Sequence, residues 1–162
     1  MTLMSRPIAL VTALSCLLAG CSGLKTYRSD NQKNLYINTQ TDARGWFSGV
    51  DAALDIYRIQ GDCEFDYQGT VELGNSRVEI GVPAGEPAYL AFRFESSAFL
   101  ANSHSSMSYD VTLNPLVGHV YDVGVTYRDN IYNVEVQERM TGETESKPMI
   151  LNSRDGDCND LS

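Results

Sequence analysis

The chain has 162 residues, with 12 Lys and Arg against 21 Asp and Glu and a formal net charge of −9. That length suits one domain with an adequate core, and an acidic surface repels phosphate, which argues against nucleic acid as a partner. Nearly all the acid lies late in the chain: from Asn34 onward there are 8 basic and 20 acidic side chains, while Ser22–Lys33 holds Lys25, Arg28 and Lys33 against Asp30. Such a body suits solubility or the steering of a cationic partner.

The first residues carry Arg6 and no acid, and an apolar run follows from Ile8 to Leu18. A membrane-spanning helix needs about 20 apolar residues, so this shorter run reads as a signal peptide. It ends in Leu18-Ala19-Gly20-Cys21. That box resembles the lipobox of bacterial lipoproteins: a branched apolar residue, two small residues and the cysteine that is acylated. The resemblance implies a signal peptide over 1–20, cleavage after Gly20 and lipid on the Cys21 sulfur. It also implies a membrane partner through the lipid. Ser22 after the cysteine, in place of Asp, points to the outer membrane, with the domain facing the periplasm. Residues 21–33 then read as the lipidated cysteine and a flexible tether, with a coil reach of about 20 Å. Residues 34–162 read as a single domain.

Of the four cysteines, Cys16 leaves with the signal and Cys21 is the lipid acceptor. Cys63 and Cys158 remain, and in an oxidising compartment an isolated pair is most simply a disulfide. Two free thiols are the other option. Their spacing fits no redox or zinc pattern.

From Asn34 the apolar period is two. Leu35, Ile37 and Thr39 make the first row. After a polar turn, Val50, Ala52, Leu54 and Ile56 alternate with Asp51, Ala53, Asp55 and Tyr57. The clearest alternation starts at Cys63: Cys63, Phe65, Tyr67, Gly69, Val71 and Leu73 are expected on the core face, and Glu64, Asp66, Gln68, Thr70 and Glu72 in water. Further rows are Val78–Val82, Leu90–Phe94, Met107–Leu113, Tyr121–Tyr127 and Ile131–Glu138. Ser96–Ser106 reads as a long serine-rich loop, and the tail from Thr141 is polar. About eight short strands without helical period predict an all-β fold, an antiparallel β-sandwich, with a small eight-stranded barrel as the alternative. Unequal loops favour the sandwich.

No stretch predicts a catalytic site, metal or cofactor. Asp51 and Asp55 lie about 13 Å apart on one strand, too far for a glycosidase pair. Glu64 and Asp66, about 7 Å apart, read as an ordinary wet face. The serines, His104 and Asp110 of the serine-rich region lack a rigid scaffold, and no G-x-S-x-G occurs. His119 reads as a surface histidine. Asp155, Asp157 and Asn159 begin like a calcium loop, but the sixth position is Asp160 in place of glycine and no closing Glu follows.

Trp46-Phe47 and Phe99-Leu100 interrupt polar loops. They either plug the ends of the sandwich or stand exposed as anchors, and are the candidate partner-binding residues. The expected role is a non-enzymatic binding or envelope-assembly module with a protein partner. In size, lipobox and all-β pattern the chain broadly resembles the sandwich-type accessory lipoproteins of secretion systems, the type VI system included. The alternative is a periplasmic inhibitor or small-ligand-binding lipoprotein.

Overall fold

The structure, a computed structural model, describes residues 24–41, 48–61, 63–74, 77–98, 103–128 and 131–149. Those residues are all-β, with nine strands: β1 (Leu35–Thr41), β2 (Ser48–Ile59), β3 (Phe65–Leu73), β4 (Arg77–Ile80), β5 (Ala88–Ala98), β6 (Ser103–Leu113), β7 (His119–Arg128), β8 (Ile131–Met140) and β9 (Lys147–Pro148). They form a four-stranded sheet, β3-β2-β5-β6, and a five-stranded sheet, β4-β1-β7-β8-β9. Neither closes on itself, so the fold is a sandwich. Every strand pair is antiparallel except β1 with β7, which run parallel from Leu35↔Tyr121 to Thr41↔Tyr127.

The core comes from the rows that period two picks out. Leu35 and Ile37 of β1, Tyr121, Val123 and Val125 of β7, and Val134 and Val136 of β8 face Leu54 and Ile56 of β2, Leu90, Phe92 and Phe94 of β5, and Val111 and Leu113 of β6. The connections β2–β3, β4–β5, β6–β7 and β8–β9 lie at one end, here the upper end, and the remaining hairpin connections at the lower end.

Three expectations need correction. The first concerns Ser96–Ser106, which is no long loop: β5 continues to Ala98 and β6 begins at Ser103, with Ser96 opposite Ser105 and Ser97 opposite His104. The Ser96 and Ser105 hydroxyls meet at 2.6 Å. The run of serines leaves no apolar period in the sequence, yet the backbone ladder does not need one.

The second concerns β3. A bulge interrupts its register with β2: Ile56 faces Gly69 and Tyr57 faces Tyr67. The extra residue reverses the alternation. Gly69, Val71 and Leu73 keep the core side, whereas Phe65 and Tyr67 join Tyr57 on the outer face of the four-stranded sheet. Cys63 stands before the strand, in a turn with φ 65°, where its N–H donates to the Gln60 carbonyl at 2.9 Å.

The third concerns the presumed tether. Residues 24–34 form a strap along the side of the sandwich where β3 and β4 are the sheet edges. The Thr70 N–H donates to the Lys25 carbonyl at 2.7 Å, and the Tyr27 N–H to the Thr70 carbonyl at 2.9 Å. Tyr27 packs against the core and its hydroxyl donates to the Gly81 carbonyl at 2.8 Å. At the strap's end the buried Asn34 side chain exchanges two bonds with the Val82 backbone, at 2.9 and 2.8 Å, as a strand neighbour would. The strap therefore covers edge groups that would otherwise invite pairing with another chain. Two glycines make room for it. A Cβ on Gly69 would stand 2.6 Å from the Tyr27 Cα, and one on Gly81 would stand 2.8 Å from the Gln32 carbonyl oxygen.

Candidate interaction surface

Several sequence-predicted residues lie outside the described residues: Cys21, Cys158, Trp46, Phe47, Phe99, Leu100 and the acidic run Asp155–Asp160. Cys63 is half-buried at the upper end. His104 and Asp110 both lie on β6, six residues apart, so about 20 Å separates them along the strand and they cannot act as one unit. Asp110 instead accepts a bond from the Ser108 hydroxyl at 2.5 Å.

The four-stranded sheet presents its outer face in two halves. Toward the upper end, the bulge gathers four half-buried rings from three strands. Tyr57 and Tyr67 lie 5.3 Å apart between centroids, Tyr57 and Tyr89 5.7 Å, and Phe65 and Tyr89 4.9 Å, tilted or edge-on. Such cross-strand aromatic pairs stabilise a sheet, and they also give a surface its commonest energetic anchors.

Below the rings the face is charged. Asp55 is only 7 % exposed, although it points away from the core. The Thr70 hydroxyl donates to its carboxylate, and the Tyr67 and Thr70 hydroxyls meet at 2.5 Å. Arg93 Nε stands 2.6 Å from Asp55 Oδ2, close enough to pair as ions although its N–H is not aligned for a hydrogen bond. Burial works against the Arg93 charge, but Asp55, Glu95 and Glu72 outweigh it and raise the pKa above its usual value. Asp51, Glu72, Arg93 and Glu95 surround an open cleft of about 220 Å³ beside Leu24. One arginine among these carboxylates leaves the face acidic.

At the upper end, Glu138 Oε1 takes the Tyr121 hydroxyl at 3.0 Å and lies 3.0 Å from His119 Nδ1. The same Tyr121 oxygen accepts the Leu116 N–H at 2.9 Å, which pins the β6–β7 loop. Above this network Leu116, Val117 and Met140 are exposed, Val117 at 83 %. His119 is thus half-buried and paired, not a plain surface histidine.

Burial pushes the Tyr121 pKa up to about 12; the Leu116 amide opposes the rise and Glu138 adds to it. Because the folded value exceeds the ordinary 10, this stabilisation is complete below pH 10 and is lost as pH rises toward 12. Tyr121→Phe should cost about 1 kcal/mol at neutral pH. Melting curves across that alkaline range should fall less steeply for the variant than for wild type; equal slopes would deny the phenol this role.

Open clefts of about 240 and 160 Å³ border the strap at the upper end, the larger between Tyr27–Asn31 and Arg58, Gln68, Glu86 and Pro87. Among the described residues no three His, Cys, Asp or Glu side chains are placed to hold a metal ion. No helix among them is long and apolar enough to cross a membrane.

Compared with known proteins, the chain matches no protein-family model, and no curated protein matches it. Sequence reasoning missed the aromatic patch because it placed Phe65 and Tyr67 in the core. Gly69 inside a strand was the available sign of a bulge.

Proposed function

We propose that this chain is an outer-membrane-anchored periplasmic lipoprotein, lipidated on Cys21, that acts without catalysis as a binding or envelope-assembly module. The observation that carries it is Leu18-Ala19-Gly20-Cys21, at the end of an apolar run and three residues before Leu24, the first described residue of the strap. A fixed sandwich behind such a box suits a module that displays a surface close to a membrane. The aromatic patch is the described surface best suited to a protein partner, since aromatic rings anchor interfaces while charged groups gather at their rims. Trp46, Phe47, Phe99 and Leu100 stay candidate anchors on sequence grounds. A Cys63–Cys158 disulfide belongs to the same reading.

One observation favours the inhibitor alternative. Asp55, Glu72, Glu95 and Asp110 crowd the face that carries the rings, and such a face attracts a basic protein. The described clefts are open and smaller than the roughly 300 Å³ at which small-molecule pockets begin, which favours a surface-binding partner over an enclosed ligand.

Cys21→Ser should abolish acyl labelling and move the protein from the membrane fraction to the soluble periplasm. Persistence of acylation at an unchanged mass would refute the assignment. On the same preparations, non-reducing peptide mapping should recover the Cys63 and Cys158 peptides linked.

A further inference from the structure

We propose that the outer face of the four-stranded sheet binds a basic protein, seating its lysine or arginine side chains in a hollow at Ala91. The inference rests on the binding-module reading above and gives that module's partner a chemistry. The strand register lays the face out in rows. Tyr67, Tyr57, Tyr89 and Thr112 stand side by side across all four strands. The next row down is Thr70, Asp55, Ala91 and Asp110. Below it come Glu72, Ala53, Arg93 and Ser108, and then Asp51, Glu95 and Ser106.

Ala91 is the small side chain between two carboxylates. Asp55 and Asp110 stand on the strands to either side of it, their backbones about 10 Å apart. Tyr57 and Tyr89 lie in the row above and Arg93 in the row below. Five carboxylates, Asp51, Asp55, Glu72, Glu95 and Asp110, share this face with one guanidinium, and Asp55 and Glu95 already engage it. Burial raises the Tyr57 pKa, and Asp55, Tyr67 and Asp110 raise it further against Arg93, so the rings stand in the same negative field. A cation over Ala91 would meet a carboxylate on two sides and aromatic rings above, with its methylene stem along the tyrosines. Other ligands fit less well. The ring pairs are inclined at 50°, 64° and 69°, which makes no flat platform for a sugar. Phosphate and anionic lipid are repelled. From Asp51 to Tyr57 the rows extend about 20 Å along β2, more than one small cation engages, whereas a basic protein brings several charges.

Octa-arginine is the probe, with octa-citrulline as its uncharged counterpart. Each is titrated into isotope-labelled protein carrying Cys21→Ser, which needs no detergent, and followed by amide NMR shifts. The expected result is saturable binding of octa-arginine at least about ten-fold tighter than octa-citrulline, with shifts concentrated at residues 55–57, 89–93 and 108–112. Tyr89→Leu, which keeps every charge, and Asp110→Asn should each weaken it about three-fold or more. Glu135→Gln removes an equal charge from β8 in the other sheet and should leave the affinity unchanged. Equal losses for Asp110→Asn and Glu135→Gln, or shifts spread over both sheets, would mean attraction to net charge alone and overturn the proposal. Full affinity in Tyr89→Leu would overturn it too. The shift map is read on the parent chain, so it decides even where a variant fails to fold. The module reading fails separately. If octa-arginine does not bind, while a photoreactive residue at Thr112 captures a neutral or acidic protein in cells, the basic partner falls and the module stands; with no capture either, both fall.

Discussion

Gly81→Ala should lower the stability of the protein by about 2–3 kcal/mol and loosen the strap. Gly81 follows β4, where the strap crosses closest to the sheet edge. An added methyl would meet the Asn31 carbonyl group and, at 2.8 Å, the Gln32 carbonyl oxygen. These are backbone atoms, so no side-chain rotation relieves the clash. The strap must move, and with it the Tyr27 bond to the Gly81 carbonyl and the Asn34 pair with Val82. Gly69→Ala should act likewise, with added strain because φ there is +143°. Gly124 is the control. It sits in β7 with no atom within 4 Å of an added Cβ, so Gly124→Ala should be near neutral. Urea unfolding of the three variants decides the matter: equal midpoints for Gly81→Ala and Gly124→Ala would mean that the strap contributes nothing.

Asp55→Ala should cost a similar amount, about 2–3 kcal/mol. The carboxylate is buried against Arg93 and the Thr70 hydroxyl, and its removal leaves the guanidinium without its closest counter-charge. The cost stays below that of a fully buried pair because the Arg93 side chain is 32 % exposed and can recover some water. Arg93→Ala should be costly for the converse reason, since it strands a nearly buried carboxylate. The double variant should lose less than the two single losses together, by about 1–2 kcal/mol. Strictly additive losses would show that the two charges do not stabilise each other.

The two effects show why some of this fold could be read from sequence and some could not. Leu35 and Ile37, Leu54 and Ile56, Leu90 to Phe94, and Tyr121 to Val125 all lie inward as their period of two requires, because burial enforces the register of a half-wet strand. The strap carries no such signal. Its polar residues are held by backbone bonds to Thr70 and by the space above two glycines, neither of which leaves a periodic trace. The serine hairpin is missed for a related reason: its pairing is a backbone matter, and its sequence carries no apolar period. The aromatic patch is missed because a bulge at one place shifts Phe65 and Tyr67 to the other face, while Cys63 falls in the turn outside the strand. Asp55 and Arg93 lie on different strands, and only the β2–β5 register brings them together.

The account turns on the strap being part of the sandwich rather than a loose leader to it. Amide hydrogen exchange on the purified protein tests it directly. Peptides covering residues 25–34 should exchange slowly, with the Tyr27 and Asn34 amides protected to a degree comparable with β1, because their N–H groups donate to Thr70 and Ile80 carbonyls. Exchange of those amides at the rate of an unstructured peptide, with β1 still protected, would contradict it: the body would then hang from a free tether.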